Sequence, residues 1–353
     1  MNFIKFFIPI AMAILILACE GEQKPKQLFE IELAGKTRDY KNQESVAVTI
    51  KNKKGKTIDK VSYSIDGNIL ELKEGKLHLD VTRLGQKELK AVIEYEGNTA
   101  EITKKIRVLA SVAPEIYTYE IINEYPHDLN AFTQGLEFYN DTLYESTGSG
   151  GNARSFIRKL DFKTGNVLQH KDLDKEYFGE GITILNDKLY QLTWRSSIGF
   201  VYQLSDFKEI SRFQYAESKE GWGLCNDGKM IYKSDGTEKI WLLDPETMAE
   251  VSYIETVTNK SIFNKANELE YVDGKIYANV WQKESMMIID AESGAIVGVI
   301  NMAGLKNIVK KHENLDVLNG VSYNPDIDKF IVTVKNLEKL FEKKIKKKYN
   351  VGI

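Results

Sequence analysis

Cysteine is nearly absent from this chain. Of 353 residues only Cys19 and Cys225 carry a thiol, and only four are histidine: His78, His127, His170 and His312. Cys19 lies at the end of an N-terminal apolar run, so it has a separate explanation and leaves Cys225 alone. A disulfide framework within one molecule is thereby excluded. The histidines are scattered and no CxxC or HExxH spacing occurs, so zinc chemistry has no sequence support. Net charge is also lacking: 48 basic against 51 acidic residues leave −3, and no global basic field invites nucleic acid. Long apolar runs stop after the first 20 residues. What is abundant is glycine (25), tyrosine (18) and phenylalanine (15), a composition that favours strands and turns.

The N-terminal 19 residues, MNFIKFFIPIAMAILILAC, join a weak positive start at Lys5 to a short apolar run. That is the layout of a secretory signal rather than a spanning helix. "ILAC" resembles a bacterial lipobox, in which the chain is cut before the cysteine and Cys19 is lipidated. A plain signal peptide with an incidental cysteine is the alternative. Residues 20–27, EGEQKPKQ, read as a hydrophilic tether. The expectation is a lipid-anchored protein of the cell envelope, held to the membrane by that lipid alone.

Residues 28–110 alternate polar and apolar side chains in short segments broken by Gly, Asn and Lys turns, with no tryptophan. They predict a small immunoglobulin-like β-sandwich, best read as a spacer. "ASVAP" at 110–114 is the expected linker.

From residue 115 a repeat takes over. "QGLEFYNDTLY" from Gln134, "EGITILNDKLY" from Glu180, "WGLCNDGKMIY" from Trp222, "NELEYVDGKIY" from Asn267 and "NGVSYNPDIDKF" from Asn319 overlay at spacings of 46, 42, 45 and 52 residues. "KLDFKTG", "QLSDFKE", "LLDPETM" and "IIDAESG" form a second repeated phrase after the first four. A unit of about 45 residues with four short strands is the size of a propeller blade. The prediction is an all-β chain: a five-bladed β-propeller over 115–353, preceded by the sandwich. The lead-in "IYTYEIINEY" should complete the last blade, since closure removes edge strands. "NMAGLKNIVKK" reads as a helical insertion, and "NLEKLFEKKIKKKYN" as a basic amphipathic cap, with contact to anionic lipid as a weaker reading.

Equivalent positions of such units point the same way. The first positions therefore form a ring of Gln134, Glu180, Trp222, Asn267 and Asn319 near the central channel. Four residues after the repeated Tyr stand Gly148, Trp194 and Trp281. Three of the four tryptophans thus map to the channel mouth, while Trp241 in "IWLLD" reads as core. An indole cup over polar groups is the plan of a ligand pocket, although propellers also use tryptophan to wedge blades. Glu180 sits between Gly179 and Gly181, which permit close backbone approach. Enclosed by Phe178 and indoles, its carboxyl group should have a raised pKa and be able to shuttle a proton near neutrality.

At "HDLNAFTQGLEF", "YESTG", "FGEGIT", "LTW", "EGWGL", "SDG", "LDPET", "NELEYVDGKIYANVW", "LNGV" and "LFE" the chain resembles the plant and bacterial type of glutaminyl-peptide cyclotransferase, a five-bladed propeller. The resemblance covers roughly residues 116–342 and is silent on 28–110. It implies conversion of the N-terminal glutamine of peptides to pyroglutamate with loss of ammonia. It implies catalytic roles for Glu180 as acid/base and for Asn267. Lys335 in "VTVK" matches a family lysine that follows glycine, where this chain has Val334. Phe132, Gln134, Phe178, Trp194, Trp222 and Trp281 are implied as substrate contacts, with Arg158 as the best match to a family arginine.

No metal or cofactor is required by this scheme. A structural calcium ion would suit the Asp-rich turns, but the sequence does not locate one. The expected partner is a peptide or protein with N-terminal glutamine, met by a monomer. Three rivals remain at this level: a non-catalytic propeller that binds peptide or sugar, another propeller enzyme such as a lyase or a metal-dependent lactonase, whose ligand set the tryptophans would crowd, and a scaffold whose β-sandwich binds the partner while the propeller is passive.

Overall fold

The computed structural model describes residues 24–35, 38–149, 154–309 and 312–348. The signal segment and Cys19 lie outside them. The fold is almost entirely β: several small antiparallel sheets, one five-stranded sheet and one eight-stranded sheet. Among the described residues, no helix is long and apolar enough to cross a membrane.

Two N-terminal sheets share one core. One orders the strands Phe29–Leu33, Ser45–Asn52, Lys76–His78 and Leu72–Lys73. The other runs through Asp39–Lys41, Asn98–Leu109, Gly85–Tyr95, Ile58–Ile65 and Asn68–Ile69. Leu77, Leu79, Leu89 and Ile93 are fully buried between them. The end of the expected tether is ordered: Pro25–Leu28 forms one helical turn that seats Leu28 in this core. The sheets dock onto the rest of the chain through Gln86 N–H to Glu255 Oε2 (3.0 Å) and Leu84 N–H to Ser293 O (2.9 Å). Val257 enters their core.

The repeat becomes five four-stranded units. Unit 1 holds Thr133–Tyr139, Thr142–Thr147, Phe156–Leu160 and Val167–Asp172. Unit 2 holds Gly179–Leu185, Lys188–Thr193, Ile198–Gln203 and Glu209–Gln214. Unit 3 holds Leu224–Asn226, Ile231–Ser234, Lys239–Leu243 and Glu250–Glu255. Unit 4 holds Ala266–Val272, Lys275–Val280, Ser285–Asp290 and Ile296–Asn301. Unit 5 holds Leu318–Asn324, Lys329–Val334 and Lys339–Lys347, completed by the lead-in strand Glu115–Pro126. The lead-in strand also pairs in parallel with unit 4 over Glu115–Tyr117, which joins units 4 and 5 into the eight-stranded sheet. The hairpin turn at Asn186–Asp187 has φ of 53° and 57°, the paired left-handed geometry of a tight hairpin that Asn and Asp tolerate.

The first strands of the units pack side by side. Leu136 N–H and Val321 N–H both donate to Glu268, linking units 1, 4 and 5. Gly181 N–H donates to Trp222 O at 2.7 Å, linking units 2 and 3.

Two expectations are corrected. The C-terminal basic stretch is not a solvated cap. Lys339–Lys347 is a strand between Glu115–Pro126 and Lys329–Val334, with Phe341 and Lys343 fully buried. Its outer lysines meet acids that the lead-in strand supplies: Lys339 with Glu124, Lys346 with Glu120 and Lys347 with Glu115. The helical insertion shrinks to a three-residue 3₁₀ turn, Leu305–Asn307, and residues 310–311 lie outside the description.

Candidate active site

A cavity of about 410 Å³ opens where the first strands begin. Its wall carries Phe132, Gln134, Phe178, Glu180, Trp194, Trp222, Asn267, Trp281 and Lys335. Four of the five ring positions read from the repeat are therefore here. The fifth, Asn319, lies beneath: it is fully buried and donates to Thr133 O and Gln134 Oε1 at 3.0 and 3.1 Å.

Glu180 is near the start of a strand whose seven residues are all buried. Its glycine neighbours are there because the backbone approaches leave no space. A Cβ on Gly181 would lie 2.6 Å from Gly223 Cα, and one on Gly179 would lie 2.6 Å from Thr147 O. The glycine at Gly148 likewise makes room for the Phe178 ring, which a Cβ would meet at 2.1 Å. Glu180 is 5% exposed, and among the described residues its carboxyl group has no hydrogen-bond partner. Burial pushes its pKa well above the ordinary value. The Lys335 charge opposes this, and the charge of Glu220 adds to it.

The aromatic wall is a chain of edge and tilted contacts. Phe132 meets Phe178 at 6.1 Å between centroids, Phe178 meets Trp194 at 5.5 Å, and Trp222 meets Trp281 at 5.6 Å. Trp281 N–H bonds to Lys265 O, and Lys265 N–H to Gly236 O, so the wall is tied across units 3 and 4. Lys335 is 5% exposed and stands 4.6 Å above the Phe132 ring. Burial pushes its pKa down, against the pull of Glu180 and Asp316.

Arg158 is not on this wall. It is buried and fixed by Glu145 (2.7 Å) and Asp128 (3.0 Å). Burial alone would raise the Glu145 carboxyl, but His127, Arg158 and Thr133 hold it at about 2. Arg158 neutralises an internal acid instead of lining the cavity. Trp241 is core, as read from the sequence, with its indole N–H on Asp235 at 2.8 Å.

The cavity also contains residues that the repeat did not single out: Ser149, Arg195, Glu220, Gln282, Asp316 and Val317. They lie on connections, where period-two alternation carries no information. Glu220 had one signal, its place in "EGWGL" two residues before Trp222. No group of three or more His, Cys, Asp or Glu side chains among the described residues is arranged to hold a metal ion. Cys225 is buried, and burial pushes its thiol well above the ordinary range, away from nucleophilic use.

Comparison with known proteins places this geometry. The family described as glutamine cyclotransferase matches residues 91–345. A glutaminyl-peptide cyclotransferase of Arabidopsis thaliana is 39% identical over 230 residues, covering 64% of this chain and 71% of the relative. The crystal structure of Myxococcus xanthus glutaminyl cyclase superposes with a TM-score of 0.61 at 30% identity, covering 67% of this chain and all of that one.

Proposed function

The chain belongs to the glutamine cyclotransferase family, and from that premise we propose how its cavity cyclises N-terminal glutamine, with Glu180 as the acid/base. The enzyme converts the N-terminal glutamine of peptides to pyroglutamate and releases ammonia. The proposal further reads the five units as blades of a closed propeller and the two N-terminal sheets as an immunoglobulin-like sandwich. The side-by-side packing of the first strands supports this.

The reaction is intramolecular, so the first demand is conformational. The α-amine must be brought onto the γ-carbonyl carbon of the same residue. The indole cup of Trp194, Trp222 and Trp281, with Phe132 and Phe178, folds the side chain into that geometry with little polar demand. The amine nitrogen bonds to the side-chain carbonyl carbon, Cδ, and passes a proton to the Glu180 carboxylate. The carbonyl oxygen gains charge, which Asn267, Gln134 or Lys335 stabilises from the cavity wall. Glu180 then returns the proton to the amide nitrogen, the carbon–nitrogen bond breaks, and ammonia leaves. Atoms balance without a metal, cofactor or covalent enzyme intermediate.

The observation that carries this reading is the burial of the Glu180 carboxyl on the cavity wall between indoles and Lys335, without a structural partner. A carboxyl group whose pKa is raised by burial is a weaker acid and a stronger base than an ordinary carboxyl, which suits it to both accept and donate the proton. Purified protein incubated with a peptide beginning in Gln should release one ammonia per peptide, seen by mass spectrometry. Glu180→Gln should lower kcat on the order of 10²- to 10⁴-fold. A folded Glu180→Gln variant with wild-type turnover would overturn the assignment.

Lipidation at Cys19 and residence at the cell envelope remain part of this proposal, resting on the "ILAC" motif. Peptide or protein substrates would then meet a monomeric enzyme outside the cytoplasm.

A further inference from the structure

Glu220 lies on the connection between units 2 and 3, outside the repeat and outside the residues assigned above. Its Oε2 accepts two hydrogen bonds of 2.9 Å, from Trp194 Nε1 and from Trp222 Nε1. Those indoles come from different units. Its Oε1 accepts from Arg195 Nε at 3.2 Å, and the Arg195 guanidinium lies 3.9 Å over the Trp194 ring. We infer that Glu220 is a positioning residue of the cyclisation: one carboxylate that locks two of the three indoles of the cup and sets the charge beside the acid/base. The inference rests on the reading of Glu180 given above.

The geometric half follows from the chemistry of indole. Each ring has a single N–H, rigidly in plane, so anchoring it fixes one edge of the ring. Contacts on the faces fix the rest. Trp194 has Arg195 on one face and Phe178 tilted against it at 5.5 Å. Trp222 has the Gly236 backbone beneath it, where a Cβ would come within 2.5 Å of the ring, and Trp281 at its edge. Sharing one oxygen between the two N–H groups sets the spacing of the two walls, into which the glutamine side chain must fold. A neutral amide oxygen could also accept from both indoles, but more weakly. A carboxylate oxygen has lone pairs for both and forms the stronger, charge-assisted bonds.

The electrostatic half follows from location. Burial pushes the Glu220 carboxyl up, but the hydrogen bonds from Trp222, Trp194 and Arg195 outweigh it and keep the group ionised. An ionised carboxylate on the wall opposes a second negative charge on Glu180. The groups that face Glu180 are Lys335, which favours its charge, Glu220, which opposes it, and the buried Tyr215 hydroxyl. Asp316 acts on it through Lys335. Glu220 is thus the acid that balances the lysine and keeps the Glu180 proton available. The same charge favours entry of the substrate ammonium group.

The test uses Glu220→Gln and Glu220→Ala in the full enzyme, with a short Gln-initiated peptide. Glutamine keeps the size and one oxygen but removes the charge. KM should rise about fivefold for Glu220→Gln and on the order of 10- to 100-fold for Glu220→Ala. The limb of the kcat/KM profile that belongs to the enzyme should move to lower pH in Glu220→Gln. The limb set by the peptide's own amine should stay, and a second peptide of different amine pKa tells the two apart. Tryptophan emission of the free protein should also change as Trp194 and Trp222 lose their shared partner. Wild-type KM, pH profile and emission in folded Glu220→Gln would overturn the inference, even if Glu220→Ala fails to fold. If wild type cyclises no peptide, the reading of Glu180 fails instead. The emission change then still decides whether Glu220 holds the indoles.

Discussion

Gly181→Ala is the most direct test of how this site is built. The new Cβ would sit 2.6 Å from Gly223 Cα and 2.7 Å from both Leu224 N and Trp222 O. Ordinary contact begins at 3.4 Å, so the two first strands must separate by about 0.8 Å. The obstacle is backbone on both sides, and neither side can rotate away. Overpacking of this kind costs about 2–3 kcal/mol, which for a domain the size of the five units together lowers Tm by about 4–12 °C. The more specific consequence concerns activity. Glu180 and Trp222 immediately precede the two glycines that face each other, so separating the strands moves the acid/base away from one wall of the cup. A misplacement approaching 1 Å costs kcat/KM about 100-fold. Thermal melting and steady-state cyclisation, measured on the same preparation, read both effects. Gly223→Ala should be worse, because its Cβ would lie 2.1 Å from Asn267 O. A Gly181→Ala protein with unchanged Tm and unchanged kcat/KM would refute the claim that close strand approach sets the geometry of Glu180.

Arg158→Ala should destabilise by about 3–5 kcal/mol, because it removes the guanidinium paired with the fully buried Glu145 and leaves that acid to His127 and Thr133. Its kcat/KM per folded molecule should be unchanged, and a raised KM in that comparison would return Arg158 to the substrate site. Lys343→Met should stabilise by about 1–3 kcal/mol, because among the described residues the buried Lys343 amine has no hydrogen-bond partner. Burial pushes that amine well below its ordinary pKa, so between the lowered value and the unfolded one the unfolded chain binds a proton that the folded chain does not. Wild-type stability therefore rises with pH toward the unfolded value of about 10.4. The advantage of the methionine variant should be greatest below the lowered folded-state pKa and shrink toward that unfolded value, as denaturant titrations at several pH values would show.

Much of the site could be read before any coordinates because each unit carries it locally. A strand of period two fixes which side chains point together, and a repeated phrase aligns those positions across units. Gln134, Glu180, Trp222 and Asn267 were found in this way, and they share one cavity. The glycines around Glu180 announced close approach because no other residue lacks a Cβ. What the sequence left open depends on partners distant in the chain. The lysine-rich C-terminus reads as an amphipathic cap until the strand at Glu115–Pro126, more than 200 residues earlier, supplies its ladder and its acids. Arg158 reads as a substrate contact only by the family resemblance, and the residue type alone does not separate a buried arginine from a binding one. Only the fold shows Glu145 beside it. Glu220 lies on an irregular connection, and its two indole partners are joined only when units 2 and 3 pack. Local alternation and turn chemistry are short-range and were determined by the sequence alone. The pairing of buried charges and the spacing of the aromatic walls arise when separate units close on one another, and the tertiary structure decided them.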